Sequence, residues 1–386
     1  MKKKLMILIL SFLAHGLLTA QTDKYSKEFI KLIIEKVNNY QIAHPWAAKD
    51  NNWIRGTYYT GVMAAYQATG EKKYLDQCND WGKEHNWKLP TAKIGSRYSG
   101  TNLMTCSQTW LESYMVEKKN YKIKSTFVNI ISDTIKNPVT EPLTFYFESG
   151  RRYVDALYVC PPTLAMMSKI TKDPKYLNWM DGFFWDVYGN LFDQKENLFY
   201  RDDRFVYHEK ADTINYNAKA RRSYPYRVTP NGKKVLWSRG NGWAFAGLAR
   251  ILKYTPTEYG NYQKYKKLYV KMAEELKKRQ QSDGFWYPNL DDSKDYGSKE
   301  TSGTGFFVYG FAWGINNGIL SRDEYLPVVE KGWEALVSSV SNEGKVQWGQ
   351  LEAASPFVTL QEDTHEYVSG IFLLAASEIY KLPVRK

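Results

Sequence analysis

The sequence predicts an all-α protein in which paired helices form a single barrel, with the loops collected at one mouth. Three observations support this prediction. A polar turn between two apolar helical segments recurs, the apolar residues near these turns fall at helical spacing, and the apolar–polar alternation that marks a strand is scarce. No segment rich in proline, glycine and serine divides the 386 residues, so we expect one domain.

The recurring turn identifies the building unit. Residues 69–75 are echoed by residues 171–177 and, more faintly, by residues 321–326, and each copy starts with polar residues and ends in tyrosine and leucine. Each turn follows one apolar helical segment and opens another, which makes the unit a helical hairpin. Helical spacing of the apolar residues is clear in segments such as 268–276 and 328–336.

The first twenty residues have the pattern of a cleaved export signal. A lysine-rich start is followed by a short apolar run and by the small residue Ala20, ahead of the polar Gln21. We therefore expect residues 1–20 to be a signal peptide, residues 21–386 to form the single domain, and the mature chain to be periplasmic or secreted. No cysteine follows Ala20 to accept a lipid, and no later apolar stretch is long enough to span a membrane.

The composition favours a ligand that is anionic and carries rings. The chain has 53 lysine and arginine residues against 41 aspartate and glutamate residues, for a net charge of +12, and it contains 13 tryptophans and 30 tyrosines. Nucleic acid and acidic polysaccharide both fit this description. The basic residues are spread along the chain and no nucleic-acid-binding motif is present, which argues against nucleic acid.

The three cysteines, Cys78, Cys106 and Cys160, indicate neither a disulfide framework nor a zinc site. Their number is odd, they are widely spaced, and none has a histidine near it at metal-ligand spacing. We expect them to behave as small buried hydrophobic residues.

The most informative segment is residues 237–243, Trp-Ser-Arg-Gly-Asn-Gly-Trp. It places one cation, Arg239, between the indoles of Trp237 and Trp243, with two glycines clearing the approach. A guanidinium group suits carboxylate or sulfate, and indole faces stack on the apolar faces of sugar rings. An acidic sugar would satisfy both groups. The alternative is a buried arginine that stacks on core tryptophans.

Asp155 is a carboxyl group embedded in an apolar run, between Val154 and Ala156. Such an aspartate is either the cap of a helix or a group whose pKa is raised, because desolvation disfavours its charged form. In a cleft, a carboxyl with a raised pKa can act as a general acid near neutral pH. The sequence alone leaves both interpretations open.

Two loop regions interrupt the helical pattern and are candidates for the mouth of the barrel. Residues 201–234 are rich in cations, which would form either a solvated loop or a subsite for an anionic group. These cations include Lys219, Arg221, Arg222, Arg227, Lys233 and Lys234. Residues 283–305 end at a predicted helix start, where free backbone N–H groups could hold an anion. Capping by Thr301 or Ser302 explains that region equally well.

Four segments together resemble the unsaturated uronyl hydrolases of glycoside hydrolase family 105, of the unsaturated rhamnogalacturonyl hydrolase type and related to family 88. These segments are residues 155–162 (Asp-Ala-Leu-Tyr-Val-Cys-Pro-Pro), 237–243, 300–307 and 314–318. The resemblance runs over most of the mature chain. It implies an (α/α)6 barrel, which agrees with the hairpin repeat.

The resemblance implies hydration of a vinyl ether, a different reaction from acetal cleavage by two carboxylates. Polysaccharide lyases leave a C4=C5 double bond on the uronic acid at the non-reducing end. In the family, an aspartate that matches Asp155 protonates C4 and assists water attack at C5; the resulting hemiketal opens and releases the neighbouring sugar. One carboxyl group suffices for this reaction, and the family requires neither a metal nor an organic cofactor.

The resemblance also implies a set of substrate-binding residues. They are Asn102, Tyr153, His208, Trp237, Arg239 and Trp243. Asn102 departs from the family, in which an aspartate at this point touches the sugar. The loss of that charge, together with the basic loop, favours a more anionic substrate, as in the unsaturated 3S-rhamnoglycuronyl hydrolases that act on sulfated fragments of ulvan.

Three other interpretations remain open at this point. The substrate could be a pectin fragment, as in the unsaturated rhamnogalacturonyl hydrolases. The chain could be a non-catalytic binder of acidic glycans. An ordinary retaining or inverting glycosidase on the same barrel would need a second carboxylate, for which Glu148, Asp202 and Asp203 are the nearest candidates.

Overall fold

The computed structural model describes residues 23–46, 51–87, 89, 102, 104–117, 152–208 and 227–383. The predicted signal peptide and Glu148 lie outside these residues. The helices of the described residues are α1 (Lys27–Ala43), α2 (Trp53–Thr69), α3 (Lys72–Glu84), α4 (Met104–Val116), α5 (Ala156–Val159), α6 (Pro161–Thr171), α7 (Lys175–Leu191), α8 (Ser238–Tyr254), α9 (Tyr262–Lys278), α10 (Thr301–Asn316), α11 (Arg322–Ser338) and α12 (Glu366–Lys381). A two-stranded antiparallel hairpin, β1 (Phe192–Asp193) and β2 (Leu198–Phe199), follows α7.

Six helices form an inner ring. Helix α2 packs against α4, α4 against α6, α6 against α8, α8 against α10, α10 against α12, and α12 against α2, which closes the ring. The outer helices α3, α7, α9 and α11 pack on the inner helices that precede them, and α1 packs on α12 and α2. The predicted all-α fold, an (α/α)6 barrel of helical hairpins, is therefore confirmed.

Two of the inner helices, α8 and α10, are buried on all sides over most of their length. Residues 238–252 of α8 and 301–314 of α10 are buried without exception, and in α8 these include the charged residues Arg239 and Arg250. Helices α2 and α12 approach most closely at Gly61 and Gly370. A Cβ atom on Gly61 would lie 2.2 Å from the carbonyl oxygen of Gly370, so a larger residue would force the two helices apart.

The outer helices bury one face each. In α9, the apolar residues Leu268, Met272 and Leu276 are buried. The repeated turns also lie where the sequence predicts: residues 69–75 join α2 to α3, and residues 171–177 join α6 to α7.

The three cysteines are buried, as the sequence predicts. Cys78, Cys106 and Cys160 are buried and form no disulfide among the described residues. Among the residues that the structure describes, no helix has the length and apolar character needed to cross a membrane.

Candidate active site

A pocket of about 190 Å³ lies at the end of the barrel where the inner helices begin. The N-terminal ends of α-helices carry partial positive charge, which favours an anionic ligand. The lining residues come from the starts of α2, α5 and α8, from the segments before α4 and α12, and from the residues after β2. They are Trp53, Asn102, Tyr153, Asp155, Val159, Arg201, Arg239, Trp243, Glu352, Ala353 and Ala354.

Asp155 faces this pocket rather than capping a helix. It directly precedes α5, yet its side chain makes no cap hydrogen bond, so the capping interpretation is wrong. The side chain is 20% exposed, and its Oδ2 atom is buried and has no hydrogen-bond partner among the described residues. Desolvation by burial raises the pKa of Asp155, while the charges of Arg201 and Arg239 act in the opposite direction. The carboxyl group thus retains its proton to a higher pH than a solvated aspartate.

The backbone next to Asp155 is fixed by the residues that follow β2. The N–H of Val154 donates a hydrogen bond of 2.8 Å to the carbonyl oxygen of Arg201, and Tyr153 forms an antiparallel bridge with Asp202. The hydroxyl of Tyr153 donates to Oδ1 of Asn102 at 2.8 Å. Asn102 and Tyr153 therefore lie together in the pocket, as the resemblance implies.

Arg201 brings a second cation into the pocket. Its Nε atom lies 3.5 Å from Oδ2 of Asp155, and its Nη1 atom donates to Oδ2 of Asp202 at 2.6 Å. Asp202 is fully buried and also accepts two hydrogen bonds from the guanidinium group of Arg204. Burial alone would raise the pKa of Asp202, but the hydrogen bonds and charges of Arg204 and Arg201 lower it. Asp202 is thus an ionised anchor and does not line the pocket, so it is not the second carboxylate of an ordinary glycosidase.

Arg239 is fixed by buried acceptors and by aromatic rings. Its Nη1 atom donates to the carbonyl oxygen of Gln350 at 2.5 Å and to the hydroxyl of Tyr367 at 2.6 Å, and its Nη2 atom donates to the carbonyl oxygen of Leu351 at 3.1 Å. The guanidinium carbon lies 4.6 Å from the centre of the Trp237 ring. Among the described residues, Arg239 forms no ion pair within 4.0 Å, so its charge remains available to an anionic ligand.

The two tryptophans of the 237–243 segment occupy different places. Trp243 lines the pocket and packs edge-on against Trp53, with 6.1 Å between ring centres. Trp237 is buried and does not line the pocket; it supports Arg239, and its Nε1 atom donates to Oε1 of Gln350 at 2.8 Å. The alternative of an arginine stacked on a core tryptophan therefore describes Trp237, whereas Trp243 lies at the pocket wall.

His208 and the described part of the basic loop lie outside the pocket. His208 shares a separate surface depression with Lys234, alongside the β1–β2 hairpin. Lys234 is paired with Asp193 at 2.7 Å and with Glu196 at 3.1 Å. The structure thus does not bring His208 to Asp155. Three of the cations predicted to form an anionic subsite lie outside the described residues: Lys219, Arg221 and Arg222.

The N-terminus of α10 is closed to an external anion. The side chain of Glu300 accepts hydrogen bonds from the backbone N–H groups of Ser302 at 2.8 Å and Gly303 at 2.6 Å. The predicted anion site and the predicted capping by Thr301 or Ser302 are both wrong, because the carboxylate one position earlier takes these donors.

Sequence reasoning did not single out three of the pocket residues: Trp53, Arg201 and Glu352. Arg201 is the first residue of the basic loop (residues 201–234) that the sequence predicts at the mouth of the barrel. No local pattern distinguishes it from the other cations of that loop. Trp53 follows the helix cap Asn52, a signal that places an aromatic residue at a helix start. Glu352 lies in a loop whose sequence has no local pattern that predicts a pocket residue.

Comparisons with known proteins match the chain over most of its length. The family model described as Glycosyl Hydrolase Family 88 matches residues 25–383. The chain is 31% identical to the unsaturated 3S-rhamnoglycuronyl hydrolase of Formosa agariphila over 354 residues, which cover 90% of this chain and 89% of the relative. It is also 31% identical to the protein of the same name from an Alteromonas strain, with 90% and 85% of the two chains covered. The solved structure of a glycosyl hydrolase family 88 protein from Bacteroides vulgatus is similar at a TM-score of 0.78 and 30% identity, with 92% of this chain and 100% of that chain covered.

Proposed function

Because the chain belongs to glycosyl hydrolase family 88, as its sequence resemblance predicts, we propose that it removes the C4=C5-unsaturated uronic acid from the non-reducing end of lyase-generated acidic oligosaccharides. The observation that carries this proposal is the buried carboxyl group of Asp155, which lies in one pocket with two guanidinium groups and two indoles. A glycosidase acting on unsaturated uronides needs this combination, because it must bind an anion and deliver a proton.

The chemistry requires one carboxyl group. The protonated Asp155 gives its proton to C4, and the electron pair of the C4=C5 bond forms the new C–H bond. Positive charge develops at C5 and on the ring oxygen. Water adds at C5 and returns a proton to the carboxylate of Asp155, so one molecule of water is consumed. The hemiketal at C5 then opens, and the sugar attached at C1 leaves as an alcohol.

The protonation state of Asp155 suits the first step. A general acid must hold its proton at the working pH, and burial raises the pKa of this carboxyl group. The same burial excludes water from Oδ2, so no hydrogen bond to solvent stabilises the charged form. The carboxyl group therefore keeps its proton until a substrate carbon lies beside it.

We further propose that the sugar next to the unsaturated uronate carries sulfate, as in ulvan fragments in which unsaturated glucuronate is linked to 3-sulfated rhamnose. Support comes from Asn102, whose Oδ1 atom accepts from Tyr153 and whose Nδ2 group makes no hydrogen bond among the described residues. The amide thus offers donors where an aspartate offers acceptors only, and donors suit sulfate oxygens. The names of the two relatives at 31% identity point the same way.

The test uses lyase-generated oligosaccharides that differ in sulfation of the sugar next to the unsaturated uronate, together with an unsaturated pectin fragment. Turnover is followed by the loss of ultraviolet absorbance of the double bond. We expect the wild-type protein to act on the sulfated fragment with a kcat/KM at least about tenfold above that on the desulfated one, the gain expected of one charge-assisted hydrogen bond. Binding of every oligosaccharide with no loss of absorbance would indicate a non-catalytic glycan binder.

Three variants assign the roles. Asp155→Asn removes the proton donor and should lower kcat by about 10²- to 10⁴-fold. Asp203→Asn is the matched control, because Asp203 is exposed and lies outside the pocket.

Asn102→Asp should lower kcat/KM on the sulfated fragment more than on the desulfated one, because like charges repel. Equal effects of Asn102→Asp on both substrates, or a preference for the pectin fragment, would contradict the sulfate proposal.

We also propose that the protein is exported, because residues 1–20 have the pattern of a signal peptide. N-terminal sequencing of the protein recovered from the periplasm and the medium of the native host tests this. A start near Gln21 supports the proposal, and a full-length cytoplasmic protein contradicts it.

A further inference from the structure

Two buried polar atoms of pocket residues lie close to each other without forming a hydrogen bond. The Nε atom of Arg201 and the Oδ2 atom of Asp155 are 3.5 Å apart, and within the part of the chain that the structure describes each lacks a hydrogen-bond partner. The two groups attract each other as an ion pair, but the donor and the acceptor are not joined. A buried donor and a buried acceptor in this state cost free energy until a ligand satisfies them.

The rest of the Arg201 side chain is held in place. Nη1 donates to the ionised, fully buried Asp202, and the guanidinium carbon lies 5.5 Å from the centre of the Tyr153 ring. Asp202 is in turn held by two hydrogen bonds from Arg204. The cation is thus fixed at the pocket wall while its Nε donor stays open.

Arg239 is the other cation of the pocket, but its terminal nitrogens are engaged. Nη1 and Nη2 donate to the backbone carbonyl oxygens of Gln350 and Leu351 and to the hydroxyl of Tyr367. These bonds hold both terminal nitrogens of Arg239 against the protein, whereas the Nε donor of Arg201 has no acceptor among the described residues.

We propose that Arg201 exchanges partners: it pairs with Asp155 in the free protein and with the carboxylate of the sugar in the complex, which releases Asp155 to hold the proton that it will donate. This inference rests on the proposed function and deepens it, because it names the residue that binds the uronate and couples substrate binding to protonation of the general acid. Arg201 is then a binding residue that also positions the proton.

The charges around Asp155 give the direction of this coupling. Within the described residues they are Arg201 and Asp202 after β2, Arg239 at the start of α8, and Glu352 in the loop before α12. The two cations favour the charged form of Asp155 in the free protein. A bound carboxylate neutralises Arg201 and adds a negative charge beside Asp155, so the pKa of Asp155 rises and the carboxyl group takes up one proton from solvent.

The experiment measures this proton. Calorimetric titration with D-glucuronate, which has no double bond to hydrate, is carried out in buffers of different ionisation enthalpy, over the pH range in which the wild-type protein titrates. We expect net proton uptake on binding by the wild-type protein and none by Asp155→Asn. Arg201→Gln should bind glucuronate at least about tenfold more weakly and lose the uptake. Binding by the wild-type protein without proton uptake would overturn the proposal.

A matched control separates the loss of this cation from the loss of any cation near Asp155. Arg152→Gln removes the same charge three residues from Asp155, but Arg152 pairs with Asp186 outside the pocket at 2.7 Å and 2.8 Å. It should retain both the affinity and the proton uptake. If Arg201→Gln does not fold, Arg201→Lys keeps the charge without the Nε donor and should still weaken binding at least about tenfold. Unchanged affinity in the folded Arg201 variant would refute the exchange.

The outcomes distinguish this proposal from the proposed function. Proton uptake that depends on Arg201, without turnover of any unsaturated uronide, would refute the function and support the exchange of partners. Turnover without proton uptake would support the function and refute the exchange.

Discussion

The guanidinium carbon of Arg239 lies 4.6 Å from the centre of the Trp237 ring, and of these two residues the arginine alone lines the pocket. The buried Trp237 ring therefore supports the guanidinium group of Arg239 without itself lining the pocket. Trp243, four residues after Arg239 and about one helical turn along α8, faces the pocket. One short segment thus supplies a buried support, a cation and a pocket wall.

Replacement of each tryptophan by phenylalanine should separate these roles. Trp237→Phe leaves Oε1 of Gln350 without its donor, so we expect the free energy of unfolding to fall by about 1–3 kcal/mol with little change in KM. Trp243→Phe reduces the aromatic surface of the pocket and should raise KM about two- to tenfold. Denaturant unfolding and steady-state kinetics measure the two effects. An equal rise of KM in both variants would place Trp237 in contact with the substrate.

Glu352 tests whether the reaction needs one carboxyl group or two. It lines the pocket with Asp155, and it would repel an anionic sugar. We expect Glu352→Gln to lower KM for an unsaturated uronide and to leave kcat within about tenfold of the wild-type value, because vinyl-ether hydration uses Asp155 alone. A two-carboxylate glycosidase would instead lose about 10²- to 10⁴-fold in kcat. A loss of that size would favour the ordinary glycosidase.

His365 should make the barrel sensitive to acid. Its Nδ1 atom accepts a hydrogen bond of 2.9 Å from the backbone N–H of Glu366 at the start of α12. Burial, with the charge of Arg239, lowers the pKa of His365 to about 4 from the ordinary value of 6.5. Because the folded pKa lies below the unfolded one, the stability that neutral His365 contributes is present above about pH 6.5 and is lost as the pH falls through about 4.

His365→Asn keeps a capping acceptor but does not titrate. Denaturant unfolding of both proteins between pH 7 and pH 4 should show a smaller loss of stability in the variant, by up to about 3 kcal/mol. The loss of the ring that stacks on Tyr367 lowers stability at every pH, so the comparison uses the pH dependence alone. Identical pH dependence in the two proteins would show that His365 does not cause the acid sensitivity.

The barrel could be predicted from the sequence because its signals are local. The hairpin turn recurs within short segments, and the apolar spacing of residues 268–276 identifies the buried face of an outer helix. Asp155 could be predicted for a similar reason, since a carboxyl group inside an apolar run must either cap a helix or be desolvated. The structure distinguishes these possibilities through the absence of a cap hydrogen bond.

The rest of the site depends on contacts between distant parts of the chain. Arg201 reaches the pocket because the segment after β2 pairs with residues 153–154, and no local pattern distinguishes it from the other cations of its loop. Gln350 and Glu352 come from a loop more than a hundred residues after Arg239. Glu300 caps α10 because a carboxylate one position before the first helical residue can reach two backbone N–H groups.

The most direct test of proton delivery from Asp155 to a carbon atom is to run the reaction in D₂O and to examine the released sugar by NMR and mass spectrometry. Hydration of the double bond predicts a product that has lost the C4=C5 bond and carries one solvent-derived deuterium at C4, formed by the wild-type protein and not by Asp155→Asn. A released sugar that retains its double bond and carries no deuterium at C4 would contradict hydration and indicate ordinary acetal cleavage.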